Sequence, residues 1–261
     1  MHGEPASVAL APTPTPFRRW LRHIGRSYAA EHFFSFRLSR HLKPGPLRVI
    51  EIGSAPGGFL KECHVRFGFE PYGVEYSPVG ARVNRENFKS WGFDPNHVIE
   101  SDFFADGFQS AHRTQFDVVV SRGFIEHFTD LQPVIDAHVN LLKPGGTLVI
   151  AIPNYSGLNY ILGLLTVRML YPRHNIGLMR SEVFGRLFAR PDLGTLFCGY
   201  EGGIDLGLLE GGPETLNSWL LNVTRRVQWG LNVVFNSLFF GHVPETRYTS
   251  PYLLYIGRKK V

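Results

Sequence analysis

Three carboxylates stand at the ends of short apolar runs in this chain: Glu51 after Val49-Ile50, Glu75 after Tyr72-Gly73-Val74, and Asp102 after Val98-Ile99. Runs of that kind read as strands. Behind Glu51 comes the turn Gly53-Ser54-Ala55-Pro56-Gly57-Gly58, and a helical pattern follows. Such a turn lets backbone N–H groups and a helix N-terminus approach a ligand without Cβ interference. Glu51 sets the sign of that ligand: a phosphate would be repelled, whereas a cation or a row of amines and hydroxyls would be held. Glu75 falls roughly 20 residues beyond the turn, where a ribose-binding carboxylate sits in nucleotide-type folds. Farther on, Phe116 to Gly123 reads as a buried strand that runs into Phe124-Ile125-Glu126-His127. An imidazole suits general-base work near neutrality, and a neighbouring carboxylate could orient it or hold a metal.

These stretches, together with Leu141-Leu142-Lys143-Pro144-Gly145-Gly146 and the apolar run after it, resemble class I S-adenosylmethionine-dependent methyltransferases. The resemblance covers the chain from about residue 46 to the C-terminus. In that family the first strand ends in an acid followed by Gly-x-Gly-x-Gly. Glu51, Gly53, Ala55 and Gly57 fill those places here, with alanine as the middle member. The resemblance implies S-adenosylmethionine as cofactor, held by Glu51, Gly53, Ser54, Ala55, Gly57, Gly58, Glu75, Tyr76, Asp102, Phe103, Arg122 and Phe124. Within that set Glu75 would take the ribose, Asp102 the adenine amino group, and Phe103 would cover the ring.

Methyl transfer from a sulfonium needs orientation and exclusion of water more than acid chemistry. An O or N acceptor that starts protonated also needs a base, and His127 is the first choice, with Glu126 beside it. Tyr155, Asn159 and His174 are candidates for the acceptor pocket. A branch of the family that methylates phenols and catechols of quinone rings places a further acid three residues before the Glu of this Glu-His pair and binds a divalent ion. Gly123 stands there instead, so no metal is expected.

Strand and helix patterns alternate from Leu47 to Ile152, which predicts βαβ units and a parallel sheet. The expected fold is a Rossmann-like, doubly wound α/β sheet, mostly parallel, with helical lid insertions. The resemblance implies that its last strand, Pro251 to Lys259, is antiparallel and inserted at the sheet edge. Residues 1–16 read as a mobile arm with neither signal peptide nor anchor. Residues 17–45 interleave aromatics and arginines as amphipathic helices, which the family resemblance places over the cofactor site. The methyltransferase domain occupies 46–261, with apolar helical insertions at about 154–177 and 214–243. Ser181 is a candidate N-cap for a short helix between them.

Apolar content of 44% and a charged fraction of 19% describe a globular chain. Only two cysteines, Cys63 and Cys198, occur, so neither a disulfide framework nor a zinc site is expected, and a cytoplasmic setting is the default. The net charge of +5 permits an anionic partner without demanding one. Both apolar helices are too short or too interrupted to span a bilayer. They would serve as lids, as a homodimer contact, or as a face meeting a membrane surface.

The expected acceptor is a small molecule, natural product or glycan, hydrophobic or aromatic, rather than nucleic acid. Ala55-Pro56-Gly57-Gly58-Phe59 also resembles the first motif of RNA ribose 2′-O-methyltransferases. That family, however, has Asp after the fourth strand, where Ser121-Arg122-Gly123-Phe124 stands here. A non-catalytic binding or scaffold module is the alternative of another class.

Overall fold

The computed structural model describes residues 32–166, 174–206, 218–238 and 244–261. The arm expected over 1–16 lies outside the described residues, as do the remainder of the chain up to residue 31 and parts of both apolar insertions.

Among the described residues seven strands form one sheet: β1 (Arg48–Ile52), β2 (Glu70–Glu75), β3 (Val98–Glu100), β4 (Phe116–Arg122), β5 (Leu142–Pro153), β6 (Leu193–Glu201) and β7 (Tyr252–Lys259). Their order is β3-β2-β1-β4-β5-β7-β6. All neighbouring pairs up to β5 are parallel, and β7 runs antiparallel to both β5 and β6. The sheet is therefore the expected doubly wound one, with one placement changed. β7 sits one strand in from the edge, and β6 covers it. Leu253, Leu254, Tyr255 and Ile256 are fully buried, a density of apolar side chains that suits a strand paired on both sides.

The helices are α1 (Ser39–His41), preceded by a π-helical segment His32–Leu38, then α2 (Gly58–Phe67), α3 (Pro78–Trp91), α4 (Asp106–Ala111), α5 (Gln132–Leu141), α6 (Gly157–Thr166), α7 (Ser181–Arg186) and α8 (Ser218–Leu238). Ser181 is the first residue of α7 rather than its cap; Arg180 holds that place, with no side-chain cap. α6 and α8 lie within the two apolar insertions. No helix among the described residues is long and apolar enough to cross a membrane.

Side-chain alternation on the strands builds two cores. Ile50, Ile52, Val119, Leu148 and Ile150 face one side and pack with Phe108, Val134 and Ile135. Val49, Val118, Val120, Val149 and Ala151 face the other, with Phe34, Phe59, Leu60 and Phe88. Each large apolar side chain buried this way contributes about 1.5–3 kcal/mol. The same alternation decides where the polar strand ends point. Glu51 shares the parity of Val49, and Arg122 that of Val118 and Val120. Since Glu51 pairs in register with Val120, the two charges meet on one face, beneath Phe34 and Phe59.

Candidate active site

β1 and β4 are the strands where the order reverses, so their carboxyl ends open a crevice at the topological switch point. A cavity of about 480 Å3 fills that crevice. Glu51, Gly53, Ala55 and Arg122 form one wall; Glu126, His127, Tyr155 and His174 form another; Phe33, Phe34 and Phe59 cover it.

Glu51 is 3% exposed. Arg122 donates to its Oε1 from Nε at 2.9 Å, and the guanidinium lies 4.3 Å from the centroid of the Phe59 ring. The second carboxylate oxygen is buried without a partner among the described residues. Burial pushes the Glu51 carboxyl upward; Arg122 opposes the shift and Glu75 adds to it. A buried carboxylate with one unclaimed oxygen on a cavity wall fits the ammonium head of an amino acid.

The turn after β1 is shaped by two close approaches. Gly57 has φ +89° and a Cβ there would lie 2.2 Å from Asn84 Oδ1. Gly73, on β2, would bring a Cβ within 2.2 Å of Ser54 Oγ. Ser54 itself is buried and accepts from Asn84 Nδ2 at 2.8 Å. It braces the turn from behind, while Gly53 and Ala55 face the cavity. Gly58 opens α2 behind Gly57, so the helix N-terminus is aimed at whatever occupies the turn.

Glu75 ends β2 and accepts from Ala55 N at 3.2 Å and Ser77 N at 3.1 Å. It stitches the glycine turn to the start of α3, where Ser77 caps by accepting from Gly80 N. Each Glu75 oxygen keeps a further acceptor site for a hydroxyl. Tyr76, next to it, is 77% exposed. Asp102 is exposed beyond β3, with Oδ1 accepting from Phe104 N at 2.9 Å. Phe103 is buried among Phe108, Phe124 and His138, edge-on to the last two. The outward ring at that place is Phe104, which stacks with Phe124. Two adjacent phenylalanines carry no local signal that tells the inward ring from the outward one.

Glu126 and His127 lie in a short 3₁₀ turn, Ile125–His127, after β4. His174 comes from a distant segment, yet its ring centroid is 4.7 Å from that of His127 and 5.1 Å from that of Tyr155. Asn175 N donates to Glu126 O at 2.9 Å and fixes this approach. Glu126 is 1% exposed, and no other residue among those described donates a well-formed hydrogen bond to its carboxylate. Burial pushes its carboxyl up to about 7, against smaller opposing effects of its own backbone N–H and of His127. Burial also pushes the Tyr155 phenol up to about 12, so it acts as a hydroxyl donor rather than a base. Glu126, His127 and His174 each offer a ligand atom within 4.8 Å of the others. A carboxylate and two imidazoles in that arrangement could hold a divalent transition ion, a grouping not foreseen from Gly123. Asn159 does not line the cavity. It is buried and donates from Nδ2 to Asn154 O at 3.1 Å and Ser250 O at 3.0 Å, holding the turn that leads into β7.

The cover is fastened by contacts between segments far apart in the chain. His32 Nδ1 lies 2.8 Å from Glu201 Oε1, while Arg37 reaches Glu201 through Nε and Glu245 through Nη2, each at 2.5 Å. His32, Arg37 and Glu201 are all buried. These contacts join residues 164 to 208 apart in sequence, so no local pattern announces them.

Comparison with known proteins agrees with this geometry. Residues 20–195 match the family described as methyltransferase domain. The chain belongs to that family. This methyltransferase domain takes S-adenosylmethionine as its cofactor, and the orphaned oxygen of Glu51 and the open glycine turn fit it. Its relatives include the ubiquinone biosynthesis O-methyltransferase of Xanthomonas axonopodis, 27% identical over 49% of this chain and 52% of the relative. That of Shewanella pealeana is 28% identical over 58% and 64%. The methyltransferase domain thus spans about half to two thirds of the length of the curated relatives it matches. Two solved structures share the fold. The geranyl diphosphate C-methyltransferase of Streptomyces coelicolor, crystallised with Mg2+, geranyl diphosphate and S-adenosyl-L-homocysteine, has TM-score 0.55, 18% identity and coverage of 88% and 80%. The [4+2]-cyclase SpnF has TM-score 0.56, 14% identity and coverage of 91% and 85%. A methyltransferase and a cyclase on one fold show that the reaction must be argued from the site.

Proposed function

We propose that this chain is an O-methyltransferase of a small, hydrophobic or aromatic acceptor, with His127 as the general base. The observation that carries the reading is the pairing of His127 with His174 and Tyr155 across the cavity from Glu51. One wall suits the cofactor's amino-acid head; the other gathers proton-handling groups where an acceptor oxygen would meet the methyl group. Phe33, Phe34, Phe59 and Tyr252 give the space between apolar walls, which favour a ring or alkyl body over a sugar. The relatives named ubiquinone biosynthesis O-methyltransferase support an oxygen acceptor.

When bound, S-adenosylmethionine supplies the electrophilic methyl group and its leaving thioether. The protein's part is then to place and deprotonate. Glu51 holds the ammonium, the N-terminus of α2 favours the carboxylate, Glu75 takes the ribose and Asp102 the adenine amino group. Tyr155 donates to the acceptor and orients it, while His127 removes the hydroxyl proton as the oxygen attacks. Glu126, behind His127, favours the imidazolium that results when it is ionised. The phenylalanine cover excludes water that would compete for the methyl group.

The test is methyl transfer from labelled S-adenosylmethionine to a panel of phenols, catechols, aliphatic alcohols and amines of similar size. Methylation of oxygen acceptors with aromatic or alkyl bodies is expected. Turnover confined to amines, or to RNA, would refute the assignment.

A further inference from the structure

At the opposite edge of the sheet, where β4 and β5 begin, lies a second cavity of about 540 Å3. Its charge is one-sided. Arg40 and His41 come from α1, Lys43 from the turn after it, and Arg258 from β7, next to Thr147 of β5. Arg40 and Lys43 are exposed and have no hydrogen-bond or ion-pair partner among the described residues. Arg258 donates only a long bond, Nη2 to His41 O at 3.4 Å.

Among the described residues the lining contains a single acid, Asp117, and it is already engaged. Lys143 Nζ lies 2.8 and 2.9 Å from its two oxygens, and Arg48 N donates to it at 2.9 Å. Three guanidinium or ammonium groups are therefore left uncompensated around one hollow. Buried Leu42 and Val118 form an apolar floor, which concentrates the field of the cations above it. His41 registers that field: burial, then Arg37, Arg40 and Arg258, depress its imidazole. The Gly145-Gly146 turn closes the rim, and no atom lies within 4 Å of where a Gly145 Cβ would be.

We propose that this cavity binds an anion of the phosphate class, held by Arg40, Lys43 and Arg258, at a site separate from the methyl-transfer cleft. Guanidinium groups match phosphate oxygens in pairs. The apolar floor suits a ligand with a hydrocarbon or ring portion beside its anionic group. Both a free phosphate ester and an anionic lipid headgroup present that chemistry. The ligand would bridge α1 to β7, and α1 continues the segment that carries Phe33 and Phe34 over the cleft, so occupancy would steady the cover at its root.

The experiment has two arms, each run on the intact chain and on Arg258→Gln and Lys43→Gln. Calorimetry with inorganic pyrophosphate is expected to show one site whose affinity falls steeply with salt. Each substitution should weaken it by about tenfold or more, as for loss of a charge-assisted bond. In parallel, ¹H–¹⁵N spectra should show the His41 imidazole titrating at higher pH once the anion is bound. The second arm is co-sedimentation with phosphatidylglycerol vesicles against phosphatidylcholine vesicles. Variant-sensitive binding in the first arm assigns the site to free phosphates, and in the second alone to lipid headgroups. Binding in neither, or binding equal in both variants and wild type, overturns the proposal. Unchanged S-adenosylhomocysteine binding by the variants verifies that they are folded.

Discussion

Arg122 places both Nε and Nη2 on the same oxygen of Glu51, each at 2.9 Å, and leaves the other oxygen buried and unshared. A guanidinium usually forks across both oxygens of a carboxylate. Here the one-sided contact keeps an acceptor free for a second cation. Glu51→Gln should therefore weaken S-adenosylhomocysteine binding by about 1.5–3 kcal/mol, the worth of a hydrogen bond to a charged group. Calorimetry measures it. A loss below about threefold would show that the oxygen is not a cofactor contact.

His127→Ala should lower kcat by about 10²–10⁴-fold, the range of general-base contributions, with cofactor affinity unchanged. Turnover should resist EDTA, since the base acts without an ion. Stopped acceptor methylation on chelation, restored by a divalent cation, would instead make Glu126, His127 and His174 a metal centre.

The buried fastening of the cover predicts an asymmetric mutational response. Glu201→Leu strands Arg37 and His32 partly unpaired, and removing one partner of a buried ion pair costs about 3–5 kcal/mol. The double variant Arg37→Met with Glu201→Leu should recover part of that loss. Denaturant unfolding of the singles and the double gives the coupling directly. Additive losses would show that the contact does not operate as a unit.

His138 is fully buried, its Nδ1 2.7 Å from Val134 O and its ring edge-on to Phe103. Burial depresses its imidazole to about 4, with the Val134 carbonyl opposing. The unfolded chain, with an ordinary histidine near 6.5, binds that proton first as pH falls. Stability should accordingly drop between about pH 6.5 and pH 4, by on the order of 3 kcal/mol in all. His138→Gln should flatten that limb of a pH-dependent melting series. An unchanged slope would place the acid sensitivity elsewhere.

The sheet, its order of βαβ units and the placing of Glu51, Glu75 and Asp102 at or just beyond the carboxyl ends of β1, β2 and β3 were legible in the chain. Strand alternation and a glycine turn are local signals, and both survive into three dimensions. The place of Glu126 and His127 just past a strand end was equally readable; they lie in the short turn Ile125–His127 that follows β4. What escaped notice depends on contacts between distant segments. The inward turn of Phe103 against the outward turn of Phe104 depends on how β3 leaves the sheet. Ser54 and Asn159 carry polar groups that look available in sequence, yet each is absorbed by bracing a turn. The His32, Arg37, Glu201 and Glu245 network has no periodicity at all.

Riveting the phenylalanine roof to the rim has a kinetic corollary. With that side held, the donor's adenine end would lie toward Tyr76 and Asp102, which stand in solvent. The donor would slide in amino-acid first, and the demethylated product would back out adenine first. On such a path an acceptor at the histidine wall would not have to leave for the donor to be renewed.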